Sequence, residues 1–431
     1  MIWYFEIQDL IDEWEPEPLV PVLTDFQKQE LERTPIIIGQ AGLKSKAVDG
    51  RERLNFSSFN FLGIMNQEST KEKAIEALRK YGVGTCGPPG FYGTLDVHLE
   101  LEETIAKFLG TEAAIIYSQG FSCISSVIPA FSKRGDIIVA DEGVNFAIQK
   151  GIQISRSHIR WFKHNDMEDL ERVLKEVQAE RKKKKLPLTR QFIIVEGVYS
   201  NSGSICNLPR LLELKNEYKY RLMVEESMSV GVLGANGRGI SEHFNIPACE
   251  IDMIIATMSN ALASSGGFCA GSKEICEHQR LSGLAYTFSA ALPAMLAVAA
   301  IEGIKFAESN PQAFNQLAQN SKSMHTALVK AANGLPLRID GEPGSPIFHV
   351  RLTAPSGNRD DDERFLQEIV DWAAKDGILL TRAKYVINQE LLPNDPSIRV
   401  SVSAGFTKRD VERVANVIRD GARKAFKNRR L

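Results

Sequence analysis

One stretch of this 431-residue chain joins a buried strand to a turn of the kind that presents reactive side chains. Met253–Ile255 is an apolar run that predicts a buried strand. A small polar turn follows at Thr257–Ala261, and Gly266–Gly267 comes after it. The turn carries Asn260, whose amide nitrogen is not a nucleophilic amine. Asn260 therefore cannot begin the covalent chemistry for which a lysine at this place would serve.

The turn and three other motifs resemble those of the α-oxoamine synthases, which are pyridoxal-phosphate (PLP) enzymes that condense an amino acid with an acyl-CoA. The other motifs are Leu54–Gly63, Asp141–Gly151 and Val224–Gly234. In catalytic members of that family the turn holds a lysine, which binds PLP covalently. The resemblance extends from about Trp14 to Phe426 and implies the PLP-dependent transferase fold of type I.

Four positions that serve PLP in the family are changed in this chain. Asn260 stands at the lysine place, and Asn145 stands where a histidine stacks on the cofactor ring. Glu225 replaces the aspartate that faces the pyridine nitrogen, and Met228 replaces a second histidine. Because the surrounding motifs are intact, these changes indicate a chain without catalytic residues in cis. Lys273 follows the next strand, so we do not expect it to replace the lysine.

A glycine-rich segment is similar to one particular group within the α-oxoamine synthases. Gly84–Pro88 and Gly90–Thr94 are similar to the non-catalytic subunit family of serine palmitoyltransferase, whose members lack the lysine. Glycines at this density predict positive φ angles or close backbone approach. That family has arginine where this chain has Pro89, so a contact of that arginine to a carboxylate or phosphate is not carried over.

The resemblance also implies residues that act on the site of a partner subunit, because active sites of this fold lie at dimer interfaces. Tyr286–Pro293 resembles the segment whose hydroxyl reaches the PLP phosphate of the opposite subunit, and Ser289 is the candidate for that role. Cys86 and Gly87 are candidates for lining the partner's cofactor pocket. A small buried thiol is the alternative interpretation of Cys86.

Two further residues are candidates for substrate contact. Tyr92 lies in the glycine-rich segment, and Arg399 matches a family strand whose arginine holds the amino-acid carboxylate through paired hydrogen bonds. A structural ion pair is the alternative for Arg399.

Seven short apolar runs, mostly separated by helix-length spacers, predict an α/β fold with a sheet that is mostly parallel and covered on both faces. The runs are Ala113–Ser118, Asp136–Glu142, Ile159–His164, Gln191–Val198, Arg221–Glu226, Met253–Thr257 and Gly266–Gly271. A helix with a Ser69-x-x-Glu72 capping box precedes them.

From about residue 306 the pattern changes to that of a small α+β domain. We predict helices at 313–333, 363–376 and 408–429, with strands at Ile347–Leu352, Ile378–Thr381 and Ser397–Ala404. The predicted domains are an N-terminal arm and helix at 1–65, a large PLP-transferase-like domain at 66–305 and the small domain at 306–431. Within the arm, residues 20–50 are predicted to be irregular.

Composition limits the partners and the compartment. A net charge of −2 argues against a nucleic-acid partner. The six cysteines show no metal spacing, and we expect buried thiols in a reducing compartment. No run of about 20 apolar residues predicts a membrane span. The basic run Arg181–Lys185 is predicted to be a solvated loop, with contact to anionic lipid as the alternative.

The first residues carry Trp3, Tyr4, Phe5, Ile7, Leu10, Ile11 and Trp14 among acids. They predict a short amphipathic helix that lies on a membrane or a partner, or that packs on its own domain. The family's membrane anchor is an N-terminal helix that this sequence lacks. We expect either that the sequence is truncated or that Trp3–Trp14 and the partner provide the attachment.

The resemblance implies a non-catalytic subunit that stabilises a catalytic subunit and completes its active site in sphingolipid biosynthesis. The implied enzyme joins L-serine to palmitoyl-CoA at the cytosolic face of the endoplasmic reticulum membrane. PLP is expected on the partner subunit of this heterodimer, and small regulatory subunits are a further expected class of partner. The alternatives are a self-sufficient PLP-dependent homodimer that uses another lysine, and a non-enzymatic regulatory protein.

Overall fold

A computed structural model describes residues 2–20, 22–392 and 394–429, with only the backbone for residues 2–6 and 428–429. The chain divides into two compact units, Met1–Ile36 and Ile37–Leu431. The predicted domain boundaries near residues 65 and 305 stay a prediction.

The helices are α1 to α15, and none of those described is long and apolar enough to cross a membrane. In chain order they are α1 Ile2–Asp12, α2 Asp25–Arg33, α3 Glu68–Tyr81, α4 Asp96–Leu109, α5 Gly120–Phe131, α6 Phe146–Ser155, α7 Met167–Lys184, α8 Leu208–Tyr218, α9 Ile240–His243, α10 Lys273–Ser282, α11 Leu284–Phe288, α12 Ala294–Ser309, α13 Pro311–Ala332, α14 Arg359–Lys375 and α15 Lys408–Arg429.

The strands form three sheets. In chain order they are β1 Lys44–Lys46, β2 Glu52–Asn55, β3 Ala113–Tyr117, β4 Ile137–Asp141, β5 His158–Phe162, β6 Gln191–Glu196, β7 Arg221–Glu225, β8 Met253–Thr257, β9 Gly267–Gly271, β10 Leu337–Asp340, β11 Ile347–Leu352, β12 Ile378–Leu379, β13 Thr381–Arg382 and β14 Ile398–Ser401.

The largest sheet confirms the seven predicted strands. Its order is β3-β9-β8-β7-β6-β4-β5, and β9 runs antiparallel to both of its neighbours while the others pair in parallel. All five residues of β4 are buried. Strands covered on both faces need continuous apolar runs, which is why the sequence revealed them.

The carboxyl ends of the parallel strands place polar residues along one edge of this sheet. Asp141, Glu196, Glu225 and Thr257 are the last residues of β4, β6, β7 and β8. The crevice outside such ends is the usual ligand site of open α/β sheets. The candidate functional residues should therefore be sought at this edge.

Two smaller sheets complete the second unit. Strands β10-β11-β14-β13 form an antiparallel sheet, and β1-β2-β12 form another in which β12 pairs with β2 in parallel. The predicted C-terminal helices and strands are present: α15 and β11 have the predicted bounds, and the others have shifted ends. The predicted strand at Ile378–Thr381 is divided into β12 and β13.

Four local predictions are wrong. Ser69 lies inside α3, whose N-cap is Gln67 without a side-chain cap. Residues 20–50 include α2, which begins at a capping box formed by Thr24 and Gln27. Four residues of the basic run form the last turn of α7 rather than a loop. Of the cysteines, Cys86 and Cys249 are exposed and the other four are buried.

Helix α1 ends before Pro16 and Pro18, in agreement with the loss of helix at prolines. Its Ile7, Leu10 and Ile11 side chains are exposed, as is that of Trp14. The side chains of Trp3, Tyr4 and Phe5, which the amphipathic prediction also includes, lie outside the described residues.

Candidate functional site

Asn260 lies buried in the turn after β8, at the carboxyl edge of the large sheet. Its amide nitrogen donates a hydrogen bond of 2.9 Å to the carbonyl oxygen of Ser227 and lies 3.4 Å from the sulfur of Met228. The Ser259 hydroxyl donates to the Asn260 side-chain oxygen at 3.3 Å. The amide is thus satisfied by the protein itself, as a buried polar group must be.

Asn145 is fixed by hydrogen bonds at both ends of its amide. Its oxygen accepts from the backbone nitrogens of Ala147 and Ile148 at 3.0 and 3.2 Å, which makes it the N-cap of α6. Its nitrogen donates to Glu225 Oε2 at 3.2 Å. Asn145 therefore connects a helix start to the carboxylate at the end of β7.

Glu225 and Glu196 are buried neighbours on adjacent strands. Glu225 accepts from the Ser227 backbone nitrogen at 2.9 Å, and Glu196 accepts from those of Asn145 and Ser200 at 2.7 and 3.0 Å. Burial raises the pKa of Glu225 to about 7. Burial, and then the charge of Glu225, raise the pKa of Glu196 well above its usual range.

These residues do not fit PLP bound by this chain. There is no lysine at position 260, and both Asn260 and Asn145 are engaged in bonds that hold the pocket together. Both oxygens of Glu225 already accept hydrogen bonds, one from the Asn145 side chain and one from the Ser227 backbone nitrogen. Met228 is buried against Asn260 and offers no proton.

The glycine-rich segment and the Tyr286–Pro293 segment lie side by side. The backbone nitrogen of Ala291 donates to the Gly87 carbonyl oxygen at 2.9 Å, and the Thr85 hydroxyl donates to the same oxygen at 3.1 Å. The Leu95 backbone nitrogen donates to His98 Nδ1, so Nε2 carries the proton and donates to the Leu292 carbonyl oxygen at 2.6 Å. The two segments predicted to face a partner are therefore one continuous surface.

This surface, which we call the aromatic face, is made of Cys86–Thr94 and Phe288–Ser289. The exposed fractions of Phe91, Tyr92 and Phe288 are 67%, 103% and 78%. Cys86 is also exposed, so the small buried thiol expected as its alternative is wrong. Ser289 is half-buried on the same face. Exposed aromatic side chains grouped in this way mark an interaction site.

Arg399, the other substrate candidate, lies on β14 of the small antiparallel sheet. Its guanidinium donates to the Ser57 carbonyl oxygen at 3.1 Å and lies 4.2 Å from the centre of the Phe59 ring. No acidic side chain of the described residues lies within 4.0 Å of it, so the predicted structural ion pair is wrong. Burial lowers the pKa of Arg399.

Sequence reasoning missed two parts of this edge. Glu196 ends an apolar strand at the same level as Glu225, and a carboxylate in that place was the available signal. Asp141, noted only as the start of a motif, accepts from the Tyr199 hydroxyl at 2.9 Å and lies 2.8 Å from His164 Nδ1. These bonds fix the loop that carries Asn145.

Comparison with known proteins agrees with this geometry. The model of the aminotransferase class I and II family matches residues 51–418. The chain belongs to this family. Its seven-stranded α/β architecture is the one that the motifs implied.

The curated relatives extend over nearly the whole chain. A protein of Dictyostelium discoideum named serine palmitoyltransferase 1 is 43% identical over 96% of this chain and 86% of its own length. One of Arabidopsis thaliana named long chain base biosynthesis protein 1 is 43% identical over 94% and 82%. One of Saccharomyces cerevisiae named serine palmitoyltransferase 1 is 38% identical over 96% and 82%. The resemblance seen in the motifs is thereby confirmed.

Solved structures support the fold. A serine palmitoyltransferase of S. paucimobilis with a bound PLP–myriocin aldimine superposes with a TM-score of 0.80 at 23% identity, covering 98% of this chain and 97% of that one. An 8-amino-7-oxononanoate synthase of Francisella tularensis superposes with a TM-score of 0.70 at 22% identity, covering 87% and 99%.

Proposed function

We propose that this chain is the non-catalytic subunit of serine C-palmitoyltransferase. The enzyme converts L-serine and palmitoyl-CoA into 3-ketodihydrosphingosine, CO₂ and CoA, the first step of sphingolipid biosynthesis. A catalytic partner subunit supplies the lysine, the stacking histidine and the aspartate, and it binds PLP. This chain stabilises the partner and completes its pocket, and it is inactive alone.

The observation that carries the proposal is the hydrogen bonding of the Asn260 side-chain amide. Its amide donates to the Ser227 carbonyl oxygen at 2.9 Å, and the neighbouring Asn145 is likewise hydrogen-bonded to Glu225 and to the start of α6. The residues of this edge hold the fold together instead of presenting a free base or nucleophile. The relatives named serine palmitoyltransferase 1 support the assignment of the reaction.

The aromatic face supports the role in trans. It gathers the Ser289 hydroxyl, the Cys86 thiol and the backbone of Gly87 on one exposed surface. When PLP is bound by the partner, it supplies the electron sink for the carbon chemistry. In this proposal Ser289 donates to the cofactor phosphate, Cys86 and Gly87 line the pocket wall, and Tyr92 excludes water from the acyl-CoA.

We also propose attachment to the cytosolic face of the endoplasmic reticulum membrane, through the partner and through α1. The exposed Ile7, Leu10 and Ile11 of that helix support a contact of this kind. Fractionation of cells that express the tagged chain with its partner tests this part. Recovery of both subunits in the soluble fraction would contradict it.

Borohydride reduction tests the subunit assignment. The chain is purified alone and after co-expression with a catalytic subunit, is reduced in the presence of PLP, and is mapped by mass spectrometry for pyridoxyl-lysine. We expect the label on the partner only, and ketone product from the complex only.

Two results would overturn the proposal. A stoichiometric label on Lys273 or another lysine of this chain, with activity in the absence of the partner, would establish a self-sufficient enzyme. Failure of the chain to form a complex with any catalytic subunit would leave a regulatory protein outside this reaction.

A further inference from the structure

The end of α7 carries a run of lysines, most of which form no ion pair among the described residues. Lys184 pairs with Glu180 at 2.7 Å, but Lys182, Lys183 and Lys185 have no acidic partner within 4.0 Å among the described residues. All four lysines are exposed. Cations in a last helical turn interact favourably with the helix dipole, which explains a basic end but not Lys185 beyond it.

The loop after this run is ordered and holds a leucine in solvent. The Leu186 backbone nitrogen donates to the Arg181 carbonyl at 3.1 Å, and the Arg181 guanidinium donates to Thr189 Oγ1 at 2.9 Å and to the Pro187 carbonyl at 2.6 Å. Leu188 lies in the chain between Pro187 and Thr189, which accept these bonds, and its side chain is 97% exposed. A fixed loop that presents a bare leucine beside lysines has the two components of a peripheral membrane anchor.

An open cleft of about 530 Å³ begins where this loop ends. Arg190 and Lys219 line it and have no acidic partner within 4.0 Å among the described residues, whereas Arg221 pairs with Asp252 at 2.8 Å. Phe131 and other apolar side chains form part of its wall. The Arg190 guanidinium donates to the Phe131 carbonyl oxygen at 2.8 Å, so the cleft offers cations that lack an acidic partner beside an apolar surface.

The position of these features leaves the candidate site free. Gln191 and Arg221 are the first residues of β6 and β7, so the cleft lies at the amino ends of the parallel strands. Asn145, Glu225 and Asn260 lie at the carboxyl ends. The two edges of a parallel sheet point in opposite directions, so a contact at one does not cover the other.

We propose that Lys182–Lys185, Leu188, Arg190 and Lys219, here called the basic face, dock on a bilayer that contains anionic phospholipids. The lysines face the lipid phosphates, Leu188 enters the headgroup region, and the cleft receives one headgroup phosphate between Arg190 and Lys219. The exposed leucine favours a lipid surface over a soluble anion, and four consecutive exposed lysines concentrate positive charge on this face of a chain whose net charge is −2.

Vesicle co-sedimentation of the full chain tests the proposal without any dependence on catalysis. The vesicles contain phosphatidylcholine alone or with about 30 mol % phosphatidylserine, at about 0.1 M and about 0.5 M salt. We expect binding only to the anionic vesicles and at low salt. Each basic side chain near such a surface contributes about fivefold in partitioning, so Lys182→Glu with Lys183→Glu should reduce binding at least about tenfold.

The matched control is Lys322→Glu with Lys330→Glu, an equal charge change on exposed residues of α13. It should leave most of the binding intact, and Leu188→Ser should weaken binding severalfold without a change in net charge. Circular dichroism confirms that each variant is folded. Equal loss in the control, or equal binding to both vesicle types, would overturn the proposal. Displacement by about 10 mM inorganic phosphate together with an unaffected Leu188→Ser would instead identify a soluble-phosphate site and reject the bilayer.

Discussion

The Asn260 side chain links two turns at the carboxyl edge of the large sheet. Its bond to Ser227 joins the turn after β8 to the turn after β7, and Asn145 likewise joins α6 to β7. The two asparagines thus make hydrogen bonds at the places where the resemblance implies a lysine and a histidine. Replacement of either asparagine by the residue that the resemblance implies would remove one of these structural hydrogen bonds.

Asn260→Lys should therefore yield no ketone product from the chain purified without a partner. The lysine would forfeit the buried bond to Ser227, at a cost of about 1–3 kcal/mol in the free energy of unfolding, and it would meet the Met228 sulfur. Urea unfolding and a product assay measure the two effects. The wild-type complex with its catalytic subunit is the positive control, and measurable turnover by the lone variant would contradict our account of the site.

The buried acids at this edge predict a pH dependence of stability. Burial raises the pKa of Glu226 from 4.5 to about 7. Between these values the unfolded chain has released the proton that the folded chain retains, so the free energy of unfolding falls as pH rises. Glu226 alone accounts for a loss of about 3 kcal/mol, fully developed above about pH 7.

Glu226→Gln should flatten this decline, because the amide has no charge to bury and its oxygen can still accept from Ser229 and Ile240. Urea unfolding at about pH 5, 6 and 7.5 measures the slope. Glu225 and Glu196 retain their own share of it. Glu308→Gln, an exposed acid on α12, is the control and should follow the wild type. A variant whose slope equals that of the wild type would refute the assignment.

The sequence predicts which residue types are changed at this edge, but it could not show which contacts the present residues make. Asn145 was recognised only as an absent histidine, whereas its cap on α6 depends on a backbone geometry that pattern alone does not specify. The pairing of Glu196 with Glu225 depends on strand order, which joins residues far apart in the chain.

At the scale of elements, the glycine-rich segment depends on close backbone contacts. A Cβ at Gly93 would overlap the Gly87 carbonyl oxygen and lie 2.6 Å from that of Pro88, whereas a Cβ at Gly90 would meet open space. Gly93 therefore fixes the shape of the turn, and Gly90 does not.

Gly93→Ala should lower the activity of the complex at least about tenfold, because the turn must shift and the aromatic face loses its shape. Gly90→Ala is the matched control and should keep activity within about twofold. Both variants are assayed with the partner at equal subunit concentration, and circular dichroism verifies that the fold is unchanged. Equal activity of the two variants would show that the turn does not take part in the partner's site.

Elements with a long hydrophobic pattern were predictable, and two exposed elements near the N-terminus, α2 and β1, were not. Most strands of the large sheet follow from apolar runs, as expected for strands covered on both faces. The capping box predicted at Ser69 lies within α3, whereas the structure has one at Thr24, where the sequence predicts no helix. A local motif of four residues cannot decide between helix start and helix interior, because the preceding residues compete for the same role.

At the scale of the whole molecule, the aromatic face is the surface that a partner should cover. Phe288 is 78% exposed and adjoins Ser289. Phe288→Asp should weaken the complex at least about tenfold, or about 1.4 kcal/mol, since a charge replaces a buried ring. Size-exclusion chromatography of the co-expressed subunits at a series of dilutions measures the effect.

Val329→Asp provides the comparison, because Val329 is 47% exposed on α13, away from both segments of the aromatic face. It should leave the complex intact. Dissociation by Val329→Asp with a stable Phe288→Asp complex would move the interface elsewhere on the molecule.

The aromatic face also affects the abundance of this protein in a cell, because it exposes Phe91, Tyr92 and Phe288. In the proposed complex, a copy synthesised in excess of its partner would leave all three rings exposed, and chaperones and proteases recognise such surfaces. We expect unassembled copies to be degraded, so that the abundance of this chain follows the synthesis of its partner. The aromatic face, which completes the partner's pocket in the proposed function, would then also determine the ratio in which the two subunits accumulate.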